Sequence, residues 1–336
     1  MARRSASETT PIGAVAARAG VSIATVSRVV NGVPNKASAA TVLCVQEAVA
    51  ALGYRPTSAG RALRERQSRL VAVLAPNLAN PAMAAMAASI EAALRGCGLV
   101  MVVCDTHDDP VIQDEYLLEM RAQQVRATVL LGAVASPQLD RLAQAGERLL
   151  FVGRRRPGGR PGPFIGIDNR KAGADAARFF LGRGLPILGV LHGNVASSAT
   201  AERIAGFREE LVAAGQPLSE DQFRTLDGAE HTRIGFACAA ALVDRPGPGG
   251  LFCSSDLIAY GAHRALGALG RSPLVTLFGF DDNPLNDWVA PWLNSVQVPY
   301  EAFGPAVAAV LARVVWPDPR YAVVLPHRVV VRGVTE

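Results

Sequence analysis

The chain has 336 residues, half of them apolar, and carries 34 Lys and Arg against 29 Asp and Glu for a net charge of +5. That length exceeds one ordinary domain and supplies a large core, while no apolar run approaches the ~20 residues of a membrane span. Met1 to Thr10 are polar, with Arg3 and Arg4 but no apolar run behind them, so no signal peptide is expected and the reading is cytoplasmic, without a membrane partner.

The charge is unevenly placed. Residues 1–69 hold ten Lys and Arg and three acids, whereas the other 267 hold 24 basic and 26 acidic groups. A basic head on a near-neutral body suits a polyanion-binding module joined to a neutral domain. The head reads as three short helices. Thr10-Pro11 offers a cap with proline at the first helical position, and Ile12, Val15, Ala16 and Ala19 recur at helical spacing. Gly20 interrupts; Ser22 caps a second helix that buries Val26, Val29 and Val30 and ends at Asn31-Gly32. Ser38 caps a third, with Val42, Val45, Val49 and Leu52 inward, closed by Gly53. Two helices joined by a tight glycine turn predict a helix-turn-helix.

Residues 57–69 read as a linker in which Thr57 or Ser58 caps a short helix. From Leu70 apolar runs alternate with amphipathic helical stretches: 70–75, 99–104, 129–131, 149–152, 164–167, 187–191, 251–253 and 274–280. Such alternation predicts buried parallel strands with crossover helices, in two doubly wound subdomains. The cysteines Cys44, Cys97, Cys104, Cys238 and Cys253 fit neither a disulfide framework nor a zinc spacing, so no metal and no cofactor is expected.

Val15-Ala-Ala-Arg-Ala-Gly20-Val-Ser22-Ile-Ala-Thr25-Val-Ser27-Arg28-Val-Val-Asn31 and Ala51-Leu-Gly53-Tyr54-Arg-Pro56 closely resemble the DNA-binding head of the lactose/purine/galactose repressor (LacI) family. The likeness runs on through Asn80-Pro81, Glu202-Arg203-Ile-Ala-Gly206-Phe207, Ser255-Asp256 and Gly279-Phe-Asp281-Asp282. It implies an all-α helix-turn-helix head plus an α/β body of two parallel-sheet subdomains resembling periplasmic binding proteins. The implied division is a head over 1–56, a hinge over 57–69, and an effector domain over 70–336. Within that domain the N-subdomain takes about 70–168 and 299–324, the C-subdomain about 169–298 and 325–336. The implied function is a transcriptional repressor, not an enzyme, binding palindromic operator DNA as a homodimer under control of a sugar or sugar acid. Without a leucine-heptad extension at its end, the chain is not expected to form a tail-mediated tetramer.

By the same resemblance, Ile23, Ala24 and Arg28 contact bases, and Ser22, Thr25, Ser27 and Asn31 contact phosphates; Tyr54 and Arg61 join the DNA-binding set. An arginine can grip guanine O6 and N7 in the major groove, and Leu63 is the expected minor-groove wedge. Ligands bind at the carboxyl ends of parallel strands, where Asn77, Asn80, Thr106, Arg154, Ser255 and Asp281 fall. Resemblance adds Met83, Arg203, Glu230 and Trp288, with Arg203 and Asp281 the strongest pair. Ala82-Met83 and Glu230 stand where the family often has aromatic residues, so a flat base is not the expected ligand. His107, in Asp105-Thr-His107-Asp108-Asp109, suggests an acid/base or metal cluster, but acids at such a loop more often cap the next helix. No G-x-G-x-x-G, complete G-x-S-x-G or G-x-x-x-x-G-K-[ST] motif occurs. The alternative, a solute-binding protein of periplasmic type, sits poorly with the basic head.

Overall fold

The computed structural model describes residues 10–30, 37–54, 68–243 and 248–332, in two compact units that divide after Ser68. The first unit contains α1 (Ile12–Ala19), α2 (Ile23–Val30) and α3 (Ala39–Leu52) around Val15, Ala16, Val26, Val45 and Ala48. Gly20, at φ 63°, takes the left-handed turn that ends α1, where a side chain would be strained. Ser22 Oγ accepts from Thr25 N at the start of α2, and Ser38 Oγ accepts from Thr41 N at the start of α3. Thr10 does not cap α1 as its sequence suggests. Pro11 holds the cap position and the Thr10 hydroxyl donates to the Leu52 carbonyl at 3.1 Å, tying the start of α1 to the end of α3. With Pro11 at the cap, Thr10 stands one residue outside the helix, where its hydroxyl is taken up by Leu52. Asn31, Arg61 and Leu63, and residues 57–67 of the expected 57–69 hinge, lie outside the described residues.

The second unit contains two six-stranded sheets. The first is built from β1 (Leu70–Ala75), β2 (Val100–Asp105), β3 (Ala127–Leu130), β4 (Leu149–Val152), β5 (Phe164–Ile167) and β11 (Ala322–Leu325). Its order is β11-β5-β4-β3-β1-β2, and every pair is parallel. Its helices are α4 (Pro81–Gly96), α5 (Pro110–Ala122), α6 (Pro137–Gln144) and α12 (Tyr300–Leu311). The second sheet comprises β6 (Ile187–Leu191), β7 (Phe223–Arg224), β8 (Gly249–Cys253), β9 (Val275–Asp281), β10 (Asn294–Gln297) and β12 (Arg328–Val330). Its order is β12-β10-β9-β8-β6-β7, with only β12 antiparallel to its neighbour. Its helices are α7 (Asn169–Leu181), α8 (Ser198–Ala213), α9 (His231–Cys238), α10 (Asp256–Ala268) and the one-turn α11 (Asn286–Val289). The chain passes between sheets three times: after β5, after β10, and between β11 and β12.

Pairs of helices are drawn together at glycines. A Cβ at Gly173 on α7 would overlap the Arg203 carbonyl on α8, and one at Gly206 on α8 would overlap the Arg170 carbonyl on α7. Gly235 and Gly261 meet α10 and α9 in the same reciprocal way. The crossings pair α7 with α8 and α9 with α10. Among the described residues no single helix is long and apolar enough to cross a membrane.

Candidate functional site

In the first unit, the core behind α2 is closed by Val26, which is fully buried. The opposite side of the same helix is open: Ile23 is 54% exposed, and Ser22, Ala24 and Arg28 are exposed as well. Ser22 Oγ and Thr25 Oγ1 lie 3.0 Å apart, so the two hydroxyls hold each other in place at the helix start. Ser27 is half-buried, and Tyr54 packs against the small core. A helix with an anchored inner face and a bare first turn can lay that turn into a groove.

In the second unit a cleft of about 650 Å³ opens between the two sheets. One wall is largely apolar, with Ala82, Met83, Met86, Leu131 and Ile167 from the first sheet's side. The other is polar, with Asn169, Ser197, Thr200, Arg203, His231 and Asp281. Arg203, on α8, is mostly enclosed, its side chain 14% exposed. Its Nε donates to Asn169 Oδ1 at 2.9 Å, its Nη1 donates to the Ser254 carbonyl at 2.8 Å, and Asp281 Oδ1 lies 3.5 Å from Nη1. The guanidinium carbon sits 3.4 Å from the Phe280 ring centroid. From across the cleft, Arg154 is held in a fork by Asp108, at 2.6 and 3.2 Å. Two bonds bridge the cleft beside it: Arg155 N donates to Ser198 Oγ at 2.8 Å, and Arg155 Nε lies 3.3 Å from Glu202 Oε1. Tyr300 Oη donates to the Asp281 carbonyl at 2.9 Å, at the crossing that follows β10.

Burial governs the charges. It pushes the Asp281 carboxyl up to about 6, with Arg203 and Arg154 only partly offsetting it. Burial also pushes Asp256 up to about 7, helped by the charge of Asp281 and opposed by hydrogen bonds from Ser295, Asn283 and Asn286. His231 goes the other way, down to about 4, through burial and then the repulsion of Arg154 and Arg203. Its Nδ1 lies 2.8 Å from Ser255 Oγ.

These shifts have opposite consequences for stability. The fold prefers Asp281 and Asp256 protonated, so their contribution is complete below about pH 4 and is lost as pH rises through about 6 and 7. The fold prefers His231 neutral, so its contribution is complete above pH 6.5 and is lost as pH falls towards 4. The two linkages oppose each other in the same window. Replacing His231 by Gln removes the second. The stability of H231Q relative to the unsubstituted chain is therefore expected to improve by about 2 kcal/mol between pH 7.5 and pH 5. Urea unfolding of both proteins at the two pH values reads this directly; a pH-independent difference would mean that His231 is not held neutral.

The structure brings Asn80, Met83, Arg154, Arg203, Ser255 and Asp281 to the cleft, and leaves four other candidates outside its lining. Asn77 is exposed, with its carboxamide oxygen on Ala79 N. Thr106 is buried, its hydroxyl on the Ala75 carbonyl. Glu230 is exposed at the start of α9, and Trp288 is 85% exposed on α11. The acidic loop is spent within the fold: Asp109 caps α5 through Val111 N and Ile112 N, Asp105 accepts from Leu78 N and His107 N, and Asp108 holds Arg154. Among the described residues no cluster of His, Cys, Asp and Glu could hold a metal ion. Sequence reasoning missed His231, Thr200, Ser197 and Tyr300; each stands at a helix start or in its first turn, and that position was the available signal.

A family model for bacterial regulatory proteins of the lacI family matches residues 12–57. A second, for periplasmic binding proteins and the sugar-binding domain of the LacI family, matches residues 68–276. The HTH-type transcriptional regulator MalR of Streptomyces coelicolor is 32% identical, over 97% of each chain. The solved complex of the transcriptional regulator CelR with cellobiose is 29% identical, covers 96% of this chain and 99% of its own, and superposes with a TM-score of 0.69. The lac repressor dimer bound to operator and the anti-inducer ONPF superposes at 0.80, with 23% identity over 97% of this chain and 98% of its own.

Proposed function

Since the chain belongs to the LacI family of bacterial regulators, we propose that it is a transcriptional repressor that binds a palindromic operator as a homodimer and answers to a sugar or sugar acid in the cleft. The observation that carries this reading is the union, in one chain, of a helix-turn-helix with a bare first turn and a two-sheet body with a polar cleft. The alternative of a solute-binding protein leaves the exposed face of α2 without a purpose. The repressor acts in the cytoplasm, on the nucleoid when operator-bound.

Each half-site is read by Ile23 and Ala24 through apolar contact and by Arg28 through hydrogen bonds to a base edge. Ser22, Thr25, Ser27 and Asn31 fix the register on phosphates, which positions the helix without reading sequence. Arg61 and Leu63 extend the contact into the minor groove. In the cleft, Arg203 and Asp281 offer adjacent donors and acceptors to vicinal hydroxyls. Ligand and operator must change each other's affinity by the same factor.

Selection of bound sequences from a random duplex library tests the DNA half. The full chain is expected to enrich a palindrome, and Arg28→Ala to lose discrimination at one symmetric pair of positions by about 1–3 kcal/mol, with the rest of the site retained. Enrichment of no palindrome would sink the reading. An unchanged site for the variant would remove Arg28 from base recognition.

A further inference from the structure

We infer that the body carries a DNA-binding surface of its own: the end of the first sheet where its strands begin is a basic face that takes duplex phosphates, whatever their sequence. This rests on the regulator reading above and adds a surface outside both the head and the cleft.

The strands of a parallel sheet all begin at one end. The cleft lies at the other, where Leu131, Gly153 and Ile167 line it at the ends of β3, β4 and β5. The chain enters the body at the starting end. Val100 N, opening β2, donates to the Arg69 carbonyl, and Arg126 N, just before β3, donates to the Leu70 carbonyl. Arg126 Nη2 also donates to the Leu311 carbonyl at the end of α12, at 3.3 Å. From Tyr54 to Ser68 the chain spans at most ~50 Å, so a duplex held by the head stays within that reach of Ser68.

This end is positively charged. Arg69, together with the last helical turns and loops that lead into β2, β3, β4 and β11 (93–99, 119–126, 141–148 and 308–321), supplies eight arginines against three acids. Arginines near helix ends also complement the helix dipole, and the second sheet provides the comparison. Its equivalent segments, 178–186, 210–222, 235–248, 265–274 and 286–293, hold four arginines and five acids. The dipole acts on both sheets, so it does not account for a surplus at one. Nor is the surplus neutralised locally. Arg95 and Arg121 pair with Glu91 and Glu147, but Arg141, Arg148, Arg313 and Arg320 pair with no carboxylate among the described residues. Arg148 and Arg313 lie instead over the rings of Trp316 and Tyr321, which hold them in place. Exposed cations of this kind gain by displacing the counterions condensed on a duplex.

The test is the salt dependence of duplex binding by the full chain, measured on a random-sequence duplex and on the palindrome it selects. Arg313→Gln with Arg320→Gln removes four positive charges from a dimer. The slope of log K against log salt should become shallower by about 2 to 4. Arg313→Lys with Arg320→Lys should keep the slope, since a point charge serves a phosphate. Arg183→Gln with Arg233→Gln makes the same charge change at exposed positions on the second sheet's helices and loops, and should leave the slope where it was. Matched urea unfolding curves keep a folding defect from mimicking the result. An unchanged slope in the first variant, or an equal loss in the Arg183 and Arg233 variant, would overturn the inference and leave the regulator reading standing. If no palindrome is selected, that reading falls while the random-sequence duplex still decides this surface; binding to neither duplex would overturn both.

Discussion

Replacing Gly206 by alanine is expected to lower the unfolding free energy by about 3 kcal/mol. Alanine is the better helix former, by roughly 1 kcal/mol in an exposed helix interior, so composition alone predicts the opposite sign. Contact decides it. The new methyl group would overlap the Arg170 carbonyl of α7, and a backbone oxygen cannot swing aside as a flexible side chain could. The two helices must part, and α7 and α8 also carry Asn169 and Arg203, whose 2.9 Å hydrogen bond would stretch with them. Effector affinity should therefore fall along with stability. Gly267→Ala is the control: it lies near the end of α10, where a Cβ would meet nothing nearer than Ser272 Oγ at 3.6 Å. It should be neutral or slightly stabilising. Urea unfolding of both variants would contradict this account if they fell within about 0.5 kcal/mol of each other.

The second large effect is expected from Arg203→Met, which keeps most of the side chain's bulk and removes its charge. Asp281 would lose the cation at 3.5 Å, and Asn169 and the Ser254 carbonyl would lose their donor. Breaking one side of a buried charged cluster typically costs about 3–5 kcal/mol, because the partner is left behind in a poor medium for charge. The Asp281 carboxyl, already at about 6 through burial, would rise further. Effector binding should weaken by at least about 100-fold, two hydrogen bonds to a charged group being worth that much together. Operator binding without effector should stay within a few-fold of the unsubstituted chain, since the head has its own core. The variant would then hold DNA and ignore the ligand. Adding Asp281→Asn should restore part of the stability, because the stranded charge is gone. A variant that still responds at the same effector concentration would take Arg203 out of the site.

The head was plain in the sequence because its signals are local. Gly20, Ser22, Ser38 and Gly53 mark helix ends by backbone chemistry that neighbours do not alter. The eight apolar strand runs were equally visible, most of them because a strand buried on both faces needs no partner to declare itself; β2 kept its apolar run although it is an edge strand with Val100 and Val103 exposed. β10 was not. Asn294 and Ser295 look like loop residues, yet both are buried, one donating to the Leu277 carbonyl and the other to Asp256. Their polarity is satisfied by residues 17 and 39 positions away, which no window along the chain contains. Trp288 misled for the converse reason, as an apolar residue that stays exposed on a one-turn helix. Half the cleft was hidden likewise: Thr200 and His231 stand on different helices and meet only in the folded cleft.

The order of strands bears on how the chain must be made. β11, at residues 322–325, completes the first sheet, and β12, at 328–330, completes the second. A chain emerging from the ribosome can settle β1 to β5 early, but α12, which packs against α4 through Gly304 and Ser89, arrives some 200 residues after α4. Until then the first sheet has a bare edge at β5 and an uncovered helix. Neither half can therefore finish before the other has largely formed, and both close within the last few strands to be synthesised. A ribosome that stalls near residue 320 would leave two unfinished sheets on one chain, each with an open edge, and such a product is a natural target for degradation.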